Sequence, residues 1–110
     1  MEDQAIVVLV TAPDMETGRE IGRILVEKKL AACANVISPV NSLFTWEGKI
    51  NDEQEVLLII KSRLSIFQDR LLPAILELHP YQVPEVLALP VLVGNPAYLE
   101  WIAESTAGEL

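Results

Sequence analysis

The chain has 110 residues, of which 51% are hydrophobic, and a formal net charge of −8 with a single cysteine. That length suits one domain spanning 1–110, and a chain this short buries only roughly two-thirds of its unfolded surface when it folds alone. Scattered basic residues in an acidic chain argue against nucleic-acid binding, which needs clustered positive charge, and one cysteine excludes both an intramolecular disulfide framework and a cysteine-only metal site within one chain.

The first predicted element is residues 5–11, AIVVLVT, a run rich in valine and isoleucine that reads as a strand buried on both faces. Asp14 then offers an N-cap. Glu16 and Glu20 come early in the following helix and Lys28 and Lys29 late, an order that complements the helix dipole. Gly18 and Gly22 lie one turn apart, where they either permit close packing on a sheet or are merely tolerated at some cost in stability. Residues 31–46 predict a long strand interrupted by Pro39, which implies an edge position or a bulge. EGKIND at 47–52 supplies turn residues, and QEVLLIIKS at 54–62 supplies the second strand of a long β2–β3 hairpin.

Ser65 can cap a second helix whose apolar face runs from Ile66 to Leu78. Pro73 lies inside it and should kink it or split it. VPEVLALPV at 83–91 reads as a last strand, and Asn95 and Pro96 open a C-terminal helix. The first six elements match the ferredoxin-like βαββαβ sandwich, an α+β fold, here with an additional C-terminal helix. In that fold both helices cover one face of the sheet, and apolar residues on the other face need a partner.

The hydrophobic surplus, a mean hydropathy of +0.33, fits such a partner better than a membrane. The longest uncharged runs, 30–46 and 86–99, contain proline and polar residues and fall short of the roughly 20 apolar residues a spanning helix needs. Glu2 and Asp3 stand where a signal peptide would carry positive charge. A homo-oligomeric cytoplasmic protein is the expectation.

Few residues could carry chemistry. Cys33 is a soft metal ligand or reactive thiol, or else a small buried residue. His79, in LHPYQVPEVL, is the only histidine. Imidazole is the commonest protein metal ligand, yet a histidine before proline also ends a helix and can hydrogen-bond there. The topology puts Cys33 and His79 near opposite ends of the sheet, about one strand length apart, so one ion cannot take both within a subunit. Near His79 the candidates are Thr11, Tyr81, Glu85 and the hairpin tip with Trp46, Glu47 and Lys49. The acids Asp52, Glu53 and Glu55 read as a solvated turn or a loose cation site. No catalytic triad, phosphate loop or zinc pattern is visible, so the chain does not read as an enzyme and no organic cofactor is expected.

LAACANVI, WEGKI, EVLLIIKS, HPYQVPEVLALPV and YLEWI follow one another in the order and approximate spacing of the CutA family, and from about residue 6 to 103 the chain resembles these divalent-cation tolerance proteins. The resemblance implies a cytoplasmic, compact homotrimer associated with tolerance to copper and other divalent ions, similar in architecture to the PII signalling proteins. It places metal ligands at Cys33 and His79 and an inter-subunit cleft at Trp46, Lys61, Tyr81, Glu85 and Trp101. Softness favours Cu(I) at Cys33, and imidazole favours Cu(II) or Zn(II) at His79. The chain departs from its relatives at ISPVNS, where they often turn with isoleucine-proline-glycine, at Phe44 in place of tyrosine, and at Gln82 in place of glutamate. Two further readings stand beside the metal-binding trimer. One is a PII-like sensor holding a small anion with Lys49, Lys61 and Arg63. The other is a trimeric scaffold offering the hairpin tip to a protein partner.

Overall fold

The computed structural model describes residues 3–107. It contains β1 (Ala5–Ala12), α1 (Met15–Glu27), β2 (Cys33–Trp46), β3 (Lys49–Arg63), α2 (Leu72–Leu78), β4 (Val86–Pro90) and α3 (Pro96–Ser105). The strands form one antiparallel sheet in the order β2-β3-β1-β4. This is the expected ferredoxin-like α+β arrangement, with α3 added and a long β2–β3 hairpin.

Residues alternate across a strand with period two, and here the alternation separates two environments. Ile6, Val8, Val10, Ala12, Val56, Leu58 and Ile60 are buried and form the core with Ile21, Leu25, Leu71 and Ile75 from the helical layer. On the opposite face Val7, Leu9, Leu57 and Ile59 are only half-buried, and Leu87 and Leu89 are exposed. The expectation that β1 is buried on both faces is therefore corrected. Both its faces are apolar, but within one chain the helices cover only one.

The first helix lies close on the sheet because its contact face is built from glycines. Asp14 caps it, accepting a hydrogen bond from the Thr17 backbone N–H at 2.8 Å. A Cβ at Gly18 would lie 2.8 Å from Val56 Cγ2, and one at Gly22 would lie 3.1 Å from Ala34 Cβ. Close packing, rather than tolerance, explains both.

The hairpin is tighter and longer than its sequence implies. Trp46 pairs with Lys49 across Glu47 and Gly48, whose φ angles are 52° and 79°. Two positive φ values twist the turn to match the strands, so residues 49–53 stay in the ladder instead of forming the wide turn expected over 47–52. The ladder between β1 and β3 ends at Ala12 and Val56. The seven residues from Lys49 to Glu55 continue without β1 beside them, an arm of roughly 23 Å at strand rise. The tip residues Trp46, Glu47 and Lys49 therefore stand far from His79, and their expected proximity fails. Pro39 behaves as anticipated: β2 is an edge strand, with a bulge between Ile37 and Val40 at a cis Ser38–Pro39 bond.

The expected second helix is divided. A 3-10 turn (Leu64–Ile66) and a π turn (Phe67–Leu71) precede α2, and Pro73 falls in the first turn of α2, where no N–H is required. Ser65 does not cap it. Its N–H donates to Asp3 Oδ1 at 3.2 Å, and its hydroxyl is also bonded to Asp3. The last strand begins at Val86, not 83, since Pro84 has no N–H to give to a ladder. Asn95 caps α3 by accepting from Ala97 N–H at 3.1 Å, with Pro96 in the first turn, as the sequence implies.

One side chain ties the described ends together. Arg63, the last residue of β3, donates through Nε to Thr106 Oγ1 at 2.8 Å and through Nη2 to the Thr106 carbonyl at 2.6 Å. Its Nη1 donates to Asp3 Oδ2 at 3.0 Å. Burial alone would raise the Asp3 pKa, but hydrogen bonds from Ser65 and Arg63 outweigh it and hold the carboxyl below its ordinary value.

Two predictions follow from this packing. Gly18→Ala gains about 1 kcal/mol of helix propensity but overpacks a β-branched core contact at about 1–3 kcal/mol, so chemical denaturation should show a net loss; a more stable variant would refute the close contact. Because the folded pKa of Asp3 is depressed, its contribution is present above the ordinary carboxylate value and lost as pH falls through the depressed one. Asp3→Asn should therefore lower stability at neutral pH and flatten the acid limb of a stability–pH profile. An unaltered acid limb would show that the ion pair contributes nothing.

Candidate functional site

Two polar clusters stand at the two ends of the open sheet face, separated by the apolar strip of Leu9, Leu57, Ile59 and Leu87. Residues directly opposite across an antiparallel pair share a face, and Cys33 pairs with Lys61, which pairs with Val7. Lys61 has the same parity as Ile59 and Leu57, so Cys33 and Lys61 belong to the open face. The Lys61 ammonium lies 3.9 Å from Cys33 Sγ and is hydrogen-bonded to the side chain of Asn35. The thiol itself is 3.9 Å from Asn35 Oδ1.

The C-terminal helix packs against β3 and β1. Tyr98 and Trp101 stack with ring centroids 5.4 Å apart. Burial, and then the neighbouring Cys33, raise the Tyr98 pKa. Trp101 remains 43% exposed beside Tyr98.

At the other end, His79 follows the last turn of α2 and is 7% exposed. Its Nδ1 accepts from the Tyr81 backbone N–H at 3.1 Å, and its Nε2 meets the Thr11 carbonyl at 2.7 Å. A backbone N–H only donates and a carbonyl only accepts, so the network assigns the proton to Nε2. The two rings pack 4.7 Å apart. The Tyr81 hydroxyl donates to Glu55 Oε2 at 2.6 Å, and Glu55 is itself buried. Burial first, then the Glu55 hydrogen bond and charge, push the Tyr81 pKa well above that of ordinary tyrosine.

Cys33 and His79 are not brought together. The Cys33 row crosses β1 at Val7 and His79 bonds to Thr11, four residues or roughly 13 Å further along that strand. Of the remaining sequence-derived candidates, Lys61 joins the Cys33 cluster, Trp101 packs against Tyr98 and Tyr81 joins His79. Trp46 is at the hairpin tip, and Glu85 is exposed just before β4. Arg63, expected to serve an anionic ligand, is committed to Asp3 and Thr106. Three contributors were missed. Asn35 and Tyr98 lie inside the motifs LAACANVI and YLEWI but were not singled out. Glu55 looked like part of a solvated turn, although its parity with Leu57 and Ile59 was a usable signal for the open face.

The donor sets differ in their fit to a metal. Both nitrogens of His79 are used, so a metal there must displace the Tyr81 N–H or the Thr11 carbonyl. Cys33 supplies one soft sulfur with one amide oxygen nearby. Among the described residues no three His, Cys, Asp or Glu side chains are grouped to hold an ion. The described residues of one chain therefore do not provide a complete coordination shell at either end. No helix among the described residues is long and apolar enough to cross a membrane.

This is a ferredoxin-like chain with an uncovered apolar sheet face, an extended hairpin and a polar cluster at each end of that face. A family model described as "CutA1 divalent ion tolerance protein" matches residues 6–105. A Thermus thermophilus divalent-cation tolerance protein CutA is 43% identical over 100 residues, covering 91% of this chain and 96% of the relative. Its solved structure superposes with a TM-score of 0.89, covering 93% of this chain and 98% of that one at 42% identity. The crystal structure of CutA1 from Oryza sativa also gives 0.89, at 45% identity and 94% coverage of each chain. A protein named "CutA, chloroplastic" from Arabidopsis thaliana is 44% identical over 93% of this chain and 56% of its own length. The chain belongs to the CutA1 divalent ion tolerance family.

The Tyr81–Glu55 bond generates a further prediction. Tyr81→Phe leaves a buried carboxylate without its donor and should cost about 1–3 kcal/mol at neutral pH. A raised folded pKa means that the tyrosine's contribution is intact below about 10 and declines as pH rises above it. In a Tyr98→Phe background, ultraviolet titration of the native protein should show phenolate only well above pH 10. Ionisation at the ordinary tyrosine value would place the Tyr81 hydroxyl in solvent.

Proposed function

We propose that this protein is a homotrimeric, cytoplasmic member of the divalent-cation tolerance family that binds copper and does not catalyse a reaction. The observation that carries this reading is the Cys33 thiol at one end of a sheet face that needs a partner. A soft sulfur suits Cu(I), with other divalent ions as weaker competitors. Since the described residues of one chain lack a full set of donors, the remaining ligands come from a second subunit or from solvent. His79 is the less suited of the two sequence-derived ligands, because a metal would have to break a bond that closes the turn after α2.

The trimer is supported by the open face itself. Its apolar strip continues across β1, β3 and β4, and packing three such faces together would remove it from water at about 25 cal/mol per Å². Leu9→Lys should convert the trimer seen by sedimentation into monomers. A wild-type chain that sediments as a stable monomer would overturn this architecture.

A second reading has its own support. Lys61 beside the Tyr98–Trp101 pair offers a charge and an aromatic wall to a small anionic metabolite in a cleft between subunits. Calorimetric titration separates the two. Under the metal reading Cu(I) binds stoichiometrically, Cys33→Ala abolishes binding, and His79→Ala weakens stability without changing copper uptake. Loss of copper in folded His79→Ala would restore the imidazole as a ligand. Copper binding indifferent to both, with an anion lost in Lys61→Ala, would favour the metabolite reading.

A further inference from the structure

Cys33 and Lys61 stand directly opposite each other on β2 and β3, in a ladder that runs without a break from Cys33 to Ile37. Register is held by every pair along a ladder, so the two side chains stay together as long as the sheet is folded. Opposite residues of an antiparallel pair keep their Cβ atoms about 4.5–5.5 Å apart. The Lys61 nitrogen lies 3.9 Å from Cys33 Sγ, and Asn35 Oδ1, which accepts from that nitrogen, lies 3.9 Å from the same sulfur. Both Cys33 and Lys61 are half-buried, so a small oxidant can reach the sulfur. An oxidised thiol is resolved by a second thiol or by a nitrogen. This chain has one cysteine, and no second thiol exists within it. The nitrogen at hand is Lys61 Nζ.

We infer that Cys33 and Lys61 form a reversible covalent bridge under peroxide, a sulfenamide between Sγ and Nζ that caps the thiol. In the first step peroxide oxidises Cys33–SH to Cys33–SOH and is itself reduced to water. The Lys61 amine, in its neutral form, then attacks Sγ. The S–N bond forms as the S–O bond breaks, and the hydroxyl leaves with an amine proton as water. From one Cβ to the other the linkage runs through Sγ, Nζ, Cε, Cδ and Cγ, which spans the cross-strand distance in relaxed rotamers without moving the backbone. An amine held beside its electrophile acts at a high effective concentration, so the bridge forms before the sulfur is oxidised further. An added thiol reverses it, first taking the sulfur into a mixed disulfide and releasing the amine, then exchanging to restore Cys33. Capping removes the soft donor, which makes metal uptake depend on redox state; that consequence alone rests on the reading of Cys33 as the copper ligand.

The test treats the assembled full chain, free of metal, with dilute hydrogen peroxide and reads the tryptic digest by mass spectrometry. The expected product is a linked pair of peptides carrying Cys33 and Lys61, lighter by about two hydrogens than their sum. Cleavage after Lys61 should be lost, and dithiothreitol should restore both peptides. Lys61→Arg keeps the charge without a nucleophilic amine. In that variant the linked pair should be absent, and dimedone should trap the stranded sulfenic acid about tenfold more than in the wild type. Sulfenic or sulfinic acid at Cys33 with no linked pair, chains joined by a disulfide, or equal dimedone trapping in the two proteins would each overturn the bridge. Should Lys61→Arg fail to fold, the wild-type digest decides alone. Titration with Cu(I) then tests the consequence: uptake is lost on oxidation and recovered with dithiothreitol. Copper uptake that does not need Cys33 removes the metal reading, and the bridge is still judged by mass, since no metal enters that measurement.

Discussion

A sheet that is apolar on both faces cannot be satisfied by helices on one. In this chain α1 and α2 cover Ile6, Val8, Val10, Leu58 and Ile60, and Val7, Leu9, Leu57, Ile59, Leu87 and Leu89 are left on the other side. Nearly everything of functional interest is arranged around that uncovered strip. The Cys33 cluster sits at one end and the His79–Tyr81–Glu55 cluster at the other. The long hairpin extends past the sheet with no cover of its own, and its Leu43 and Ile50 are 72% and 81% exposed. Water-exposed apolar area on this scale marks an interaction surface, which is why assembly and ligand binding are linked questions for this fold.

Hydrogen-bond accounting separates the two ends. At the His79 end every polar group named has a partner: carbonyl to imidazole, imidazole to backbone N–H, phenol to carboxylate. A buried network with all partners present rigidifies a turn and resists intrusion. The Cys33 end is looser. Its sulfur contacts are long and its lysine is partly exposed. Ligand exchange suits a site whose polar groups are not fully committed, and by that criterion the cysteine end is the better candidate.

Membership of the divalent ion tolerance family sets a frame for this reading without supplying donors. Tolerance is a property of a cell, and one chain offers a single thiol and a single imidazole roughly 13 Å apart along the strand direction. Under the proposed trimer, coordination chemistry directs attention to sites completed between subunits, where an incomplete set on each chain would become adequate.

The amino-acid sequence by itself determined the order of elements, because that order is written in local physics. Valine-rich runs, the Asp14 and Asn95 caps and the proline at position 39 each act within a few residues, and the separation of Cys33 from His79 follows from topology alone. The family motifs were equally legible. Features that depend on distant partners were not. Glu55 looks solvated until Tyr81, 26 residues away, supplies its donor. Ser65 looks like a cap until Asp3 takes its N–H, and Arg63 looks free for an anion until Thr106 claims it. The close turn at Glu47–Gly48 needs two positive φ angles that the letters EGKIND do not prescribe. Local propensity is encoded in neighbours, whereas the commitment of a charge or a hydrogen bond is decided by whichever partner the tertiary fold brings within reach.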